Sequence, residues 1–352
     1  MGTIGEAESS GDAPIIDVVV LRMLNFCTLY NSGYAAKGLA MYWSLRKVCP
    51  QFRLYVFAFD DVLAEALKKM ALPNMTVVTL KEFEDEDLLR VKPTRTAGEY
   101  CWTCSSSTIY YCLTHYDIDH CTYIDADLYF FSNPQVLIDE MGDDDVLITS
   151  HHFSPQYKAQ EYAGKYCVQF MTFKNTERGM KVLKWWRDKC LDWCYARYED
   201  GKFGDQKYLD DWTTRFEGVH ELEHLGGGVA PWNMQQYSFR KQGEKYIGTE
   251  TATGKEFELV FFHYHACHCY RKGWFREFSY VWYEWNKQNW NVLFKQYAKE
   301  LIRAFKTMRK VDAAIDGVAT QPQKIETWRG YIMRIWHRKK DEHEYRHYYW
   351  ID

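Results

Sequence analysis

TYIDADLYFFSNP, residues 122–134, sets Asp125 and Asp127 one residue apart, with only Ala126 between them, inside apolar and aromatic text. The run before the acids reads as a buried strand, and Ser-Asn-Pro after them reads as a turn. Two carboxylates this close repel each other and lose hydration unless something positive lies between them. A bound metal, a basic partner or a solvated turn would each meet that demand. A solvated turn seldom has such apolar walls.

Working outward, strands alternate with helices. IIDVVVLRML (15–24) reads as a buried strand, AAKGLAMYWSLRKV as a helix, RLYVFAFDD as a second strand ending in acids, and VLAEALKKM as a second helix. MTVVTL follows as a strand, SSSTIYYCLTHY as a helix, and HCTYIDADLYFF holds the acid pair. DDDVLIT and KYCVQFMTFKN are further apolar runs, and TERGMKVLKWWRDKCLDWCYARY is a long amphipathic helix. LGGGVAPWN reads as a Gly-rich turn and EFELVFFHYHACH as a late strand ending in three histidines. This alternation predicts an α/β fold with a mostly parallel sheet, in which ligands gather beyond the carboxyl ends of the strands. Asp60, Asp61, Asp125 and Asp127 all fall at such ends.

The chain of 352 residues has a net charge of −4, so nucleic acid is not an expected partner. Aromatic residues make up 17%, a share suited to carbohydrate sites, interfaces and membrane-surface helices as well as to core. The 11 cysteines lack the spacing of a disulfide scaffold. CWTC (101–104) finds no matching second pair, and CHC (267–269) has the wrong spacing for a zinc ribbon. They read as buried reduced thiols, which implies a cytoplasmic protein. No apolar run approaches the ~18 residues of a membrane span. MGTIGEAESSGDAP (1–14) reads as a disordered leader.

Several stretches, taken in order, resemble the nucleotide-sugar glycosyltransferases of the GT-A fold, near the retaining glycogenin-like and bacterial lipopolysaccharide transferases. They are NFCTLYNSGYAAKGLAMYWSL, LYVFAFDD, YIDADLYFFSNP, GKYCVQFMTFKN, FGDQKYLDDW and FFHYHA, and they span roughly residues 15 to 270. The resemblance implies a GT-A catalytic domain over 15–269: a Rossmann-like, mostly parallel sheet flanked by helices, followed by a helical, aromatic and basic extension over 270–352. It implies a sugar moved from a UDP-sugar to a glycan or glycolipid acceptor with retention, with Mn²⁺ or Mg²⁺ as cofactor. Asp125, Asp127 and His263 would hold the metal, with His265 as the alternative histidine. Asp125, Ala126 and Asp127 would also border the nucleotide. Imidazole tilts the choice toward Mn²⁺.

By the same resemblance, Thr28 and Tyr30, just past the first strand, would meet base and ribose. Asp60 would lie near the uridine, although Asp60 and Asp61 equally fit a helix cap. Lys92 and Arg95 would neutralise the diphosphate, unless they belong to an ordinary basic loop. Asp205 and Gln206 would address the reacting sugar, with Asp205 also fitting an N-cap and Gln206 a helix-surface amide. Cys167 and Gln169 depart from the family's pattern, where Asn and Gly are common. Gln169 would then take over the amide contact to the sugar, or the donor preference would differ. Gly226 to Gly228 would let backbone approach a sugar, and Trp232 would stack on a pyranose or fill core.

The tail is rich in Trp, Lys and Arg. Over 270–310 it reads as a helical cap on the catalytic domain. WRGYIMRIWHRKK (328–340) also fits peripheral contact with a membrane surface. Two other readings compete. A sugar-nucleotide nucleotidyltransferase would show a Gly-rich basic loop after the first strand, which NFCTLYNSGY lacks. A non-catalytic sugar-nucleotide or glycan-binding protein would show a decayed acid pair.

Overall fold

A computed structural model describes residues 22–272, 275–280, 283–285, 287–313, 315 and 345–350. The expected leader, the segment 328–340, and residues 15–21 of the expected first strand lie outside these. The strand itself begins later than expected. β1 is Leu24–Tyr30, and Met23 before it is exposed.

Helix α1 (Ala35–Val48) follows β1. Then come β2 (Phe52–Ala58), α2 (Asp61–Met70), β3 (Met75–Thr79), the helix Ala97–His115 and β4 (His120–Ile124). The short β5 (Leu128–Phe130) leads to β6 (Val146–Ser150), β7 (Tyr166–Lys174), the helix Glu177–Asp192 and β8 (Val219–Glu221). Seven strands form one sheet in the order β3-β2-β1-β4-β7-β6-β8. Only β7 is reversed, running antiparallel to β4 and β6; the other neighbours pair in parallel. This is the mostly parallel sheet that the alternating elements imply.

Successive side chains of a strand serve opposite faces, and β1 shows both. Phe26 and Tyr30 join a core with α1, α2 and the late helix Lys295–Val311, whereas Cys27 and Leu29 join one with helices Ala97–His115 and Glu177–Asp192. The continuous apolar strands follow from this double coverage. Gly38 of α1 has no room for a Cβ, because the Tyr30 ring lies against it.

Smaller sheets complete the fold. β9 (Gly227–Val229) and β13 (Phe261–His263) join β5 in one. β10 (Tyr237–Gln242), β11 (Lys245–Glu250) and β12 (Glu256–Glu258) form a meander. The single late strand expected from EFELVFFHYHACH is thus two short strands in different sheets and the first residue of a third, and part of LGGGVAPWN is a buried strand rather than a turn. The glycines there make room for protein. A Cβ on Gly226 would meet the Glu258 carbonyl, and one on Gly227 would meet Leu137 and Leu222.

The extension is only partly helical. β14 (His268–Lys272) and β15 (Phe275–Tyr280) form a hairpin, and β16 (Tyr345–Trp350) adds to it. Aromatic text in short runs favours strands as readily as helices. Beyond the hairpin, Leu301, Phe305 and Met308 of helix Lys295–Val311 are buried in the core that α1 shares, so this part is the expected cap.

Candidate functional site

β4 ends at Ile124, and Asp125 and Asp127 occupy the turn into β5. The Asp125 amide donates to the Gln169 carbonyl of neighbouring β7 (3.1 Å). β13 pairs antiparallel with β5 so that His263 stands opposite Leu128, and the Tyr264 amide donates to the Asp127 carbonyl (2.9 Å). Strand pairing thus brings an imidazole to the acids across 136 residues of sequence. His263 Nε2 lies 3.0 Å from Asp127 Oδ1 and 3.6 Å from Asp125 Oδ2.

The site contains a cation that sequence reading did not single out. Lys37, alone among the apolar residues of α1, places Nζ 3.3 Å from Asp127 Oδ2, with both side chains nearly buried. The signal was present as the one charge in the first turns of a core-facing helix whose other cations, Arg46 and Lys47, lie in its last turn. Burial by itself would raise the Asp127 carboxyl, but Lys37 and His263 outweigh it and hold the group well below the carboxylate range. Asp125 shifts upward instead, through burial and the neighbouring Asp127 charge. Burial would lower His263, yet Asp127 outweighs it and the imidazole shifts upward. His265, the alternative histidine, is pushed down to about 4 by burial and by His263.

Gln169, fully buried on β7, holds the histidine in place. Its Oε1, which can only accept, lies 2.7 Å from His263 Nδ1, so Nδ1–H donates and Nε2 is left toward the acids. The Gln169 Nε2 has no partner among the described residues. The amide expected at the sugar is therefore engaged with the histidine on its oxygen side.

The other expected residues divide. Thr28 and Tyr30 lie inside β1 rather than past it, and both are buried, so neither presents a face to a base. Tyr34, four residues on, is 45% exposed and has Lys37 Nζ 4.4 Å from its ring centre. Asp60 caps α2 by accepting from the Leu63 amide (2.7 Å), and its other oxygen accepts from the Ser32 amide and hydroxyl (both 2.8 Å). Lys92 pairs with Glu84 (2.6 Å), and Arg95 donates to the Leu191 carbonyl and covers the Tyr195 ring. It is Lys37, and neither of these two, that pairs with Asp127. Trp232 is core: its indole donates to the His151 carbonyl and its ring meets His263 edge-on. Cys167 packs in the same small cluster.

Asp205 precedes a short 3₁₀ turn (Gln206–Leu209) without capping it through its side chain. It is buried, and burial pushes its carboxyl up to about 7, with the Asp125 charge adding to the rise against the Ser105 hydroxyl. Gln206 donates to the Ala163 carbonyl (3.2 Å).

Asp125, Asp127 and His263 each bring a ligand atom within 4.8 Å of the others. Two carboxylates and one imidazole form a set suited to a hard or borderline divalent ion such as Mn²⁺. The group has an opening, because the Asp125 side chain is 30% exposed. Cys27, Cys112 and Cys121 form the other such group among the described residues, all three fully buried.

Sheet and site together define a mixed α/β chain with a candidate divalent-cation centre at the carboxyl edge of its sheet. No family model matches the chain. It is similar to two Bacillus subtilis (strain 168) proteins. It is 29% identical to the uncharacterized protein YfnD, covering 75% of this chain and 83% of that one, and 26% identical to the uncharacterized protein YfnF, covering 84% and 97%. Among solved structures it is similar to the galactosyltransferase LgtC in complex with donor and acceptor sugar analogues (TM-score 0.46, 13% identity, 87% of this chain and 99% of that one). It is also similar to mouse xyloside xylosyltransferase 1 (TM-score 0.42, 12% identity, 69% and 98%) and to the Streptococcus pneumoniae glycosyltransferase GlyE (TM-score 0.42, 10% identity, 86% and 66%).

Proposed function

We propose that the chain is a metal-dependent glycosyltransferase that moves a sugar from a UDP-sugar to a glycan acceptor with retention. The observation that carries this reading is the convergence of Asp125, Asp127 and His263 at the carboxyl ends of β4 and β13. These three side chains would hold Mn²⁺ or Mg²⁺. When bound, that ion would neutralise the charge that develops on a departing diphosphate.

This chain's own residues supply the rest. Lys37 holds a proton on Nζ beside Asp127 and would turn to the diphosphate, the role first expected of Lys92 and Arg95. Gln169 keeps His263 Nε2 directed at the acids. Exposed Tyr34 beside Lys37 offers the face for a base that buried Tyr30 cannot. Asp205, whose carboxyl is partly protonated near neutrality, can give or accept a hydrogen bond at a sugar hydroxyl.

The test is a panel of nucleotide sugars with Mn²⁺, read by UDP release and by calorimetric binding. UDP-sugar binding that needs the metal supports the reading, and a panel with neither binding nor hydrolysis overturns it. Nucleotide-sugar binding with no metal-dependent UDP release would favour the non-catalytic alternative.

A further inference from the structure

Few large apolar side chains are exposed among the described residues, yet three aromatic ones gather in one place. Trp102 is 37% exposed, and Tyr162 and Tyr198 are each 57% exposed. Half-buried Phe203 joins them: its ring centre is 5.7 Å from that of Tyr162 and 6.5 Å from that of Trp102, and Tyr162 stands 6.5 Å from Tyr198. The rings come from separate segments, the helix Ala97–His115, the turn Pro155–Ala163 and the loop 198–203. A cluster of exposed rings assembled from distant segments calls for an occupant.

The patch borders the backbone next to Asp205. Gly204, at φ +53°, lies so close to the Trp102 ring that a Cβ would come within 3.4 Å of it. Ser105, one helical turn from Trp102, is the hydroxyl that addresses the Asp205 carboxyl. On the other side, Gln206 donates to the carbonyl of Ala163, next to Tyr162. The backbone that carries Asp205 and Gln206 therefore runs from Trp102 to the Pro155–Ala163 turn, with the Asp205 side chain buried.

We infer that Trp102, Tyr162, Tyr198 and Phe203 form a stacking subsite for a pyranose ring of the acceptor saccharide, opening onto Gly204–Gln206. This rests on the glycosyltransferase reading and deepens it on the acceptor side. A pyranose has C–H-rich faces and a hydroxyl rim, so it needs flat apolar surfaces bordered by hydrogen-bonding groups. The border has them in balanced charge: Lys158 pairs with Glu161 (2.8 Å) and Arg197 with Glu199 (2.7 Å). An anionic membrane surface would select a net cationic rim instead.

The experiment uses the full chain and saturation-transfer NMR with methyl α- and β-hexopyranosides, lactose, maltose and cellobiose. Calorimetric binding of UDP with Mn²⁺ is measured in parallel. At least one saccharide is expected to receive saturation. Trp102→Ala is expected to weaken it about tenfold, and so is Tyr198→Ala, which sits on an exposed loop where folding is not at stake. UDP–Mn²⁺ affinity should stay the same in both variants. The subsite is overturned if no saccharide of the panel binds, if both variants bind as the parent does, or if the rings respond to phosphatidylglycerol vesicles instead. Loss of UDP–Mn²⁺ binding in the parent would count against the donor reading alone, so the two failures are distinguishable.

Discussion

The described residues hold two groups of three potential metal ligands, and they have opposite fates. Cys27 on β1, Cys112 on the helix Ala97–His115 and Cys121 on β4 meet where strand and helix are covered from every side. Asp125, Asp127 and His263 meet where strands β4 and β13 run out, with one carboxylate partly open to solvent. Burial pushes the Cys112 and Cys121 thiols well above their ordinary range; burial also opposes ionisation of Cys27, but hydrogen bonds from Cys112, Cys121 and Thr108 outweigh it and pull that thiol down to about 5. The acids cannot be silenced in that way, because neighbouring cations keep Asp127 charged. Proximity of ligand atoms is common to both groups. Access to solvent separates the acid group from the enclosed thiols.

That contrast can be broken or sharpened by measurement. The largest effect is expected from Asp127→Ala, which should weaken Mn²⁺-dependent UDP binding by ~100-fold or more in calorimetry. Unchanged binding would remove the metal assignment. Gln169→Leu is expected to cost ~10–100-fold in Mn²⁺ affinity, because Nδ1 loses its acceptor and the ring its orientation. Circular dichroism should show the fold retained, and an unchanged affinity would reduce Gln169 to packing.

Asp205 makes a pH test. Its folded value, raised from 3.8 to about 7, means the folded chain holds the proton more tightly than the unfolded one. That stability is complete below the unfolded value and is lost as pH rises through about 7. Asp205→Asn should remove this dependence. At pH 8 it should leave the variant more stable than the parent by ~1–2 kcal/mol in urea unfolding. The smallest effect is expected from Cys112→Ala, about 1 kcal/mol of stability with no change in Mn²⁺ affinity. Tight Zn²⁺ uptake that this substitution abolishes would overturn the view of the thiols as core.

The acids were legible because strand-like text on one side and a turn on the other leave few places for two carboxylates. His263 was legible only through resemblance, since nothing local distinguishes it from His265. The β5–β13 register decides between them by setting His263 opposite Leu128. Lys92 and Arg95 sit in a basic loop that suggests phosphate, but Glu84 and the Leu191 carbonyl take them. Tyr30 lies in a stretch that resembles a nucleotide loop, yet the strand extends through it and turns its ring onto Gly38. The hairpin after residue 267 escaped because short aromatic runs suit strand and helix alike. No helix among the described residues is long and apolar enough to cross a membrane.

Local text by itself determined the alternation of strand and helix, the apolar strands covered on both faces, and the placing of Asp125 and Asp127 at a strand end. These depend on periodicity and on neighbours a few residues away, which the chain spells out directly. Tertiary structure alone decided which cation faces Asp127, which histidine joins the acids, and which tyrosine stays at the surface. Each depends on pairing between segments far apart in sequence, where a shift of one residue turns a side chain to the other face.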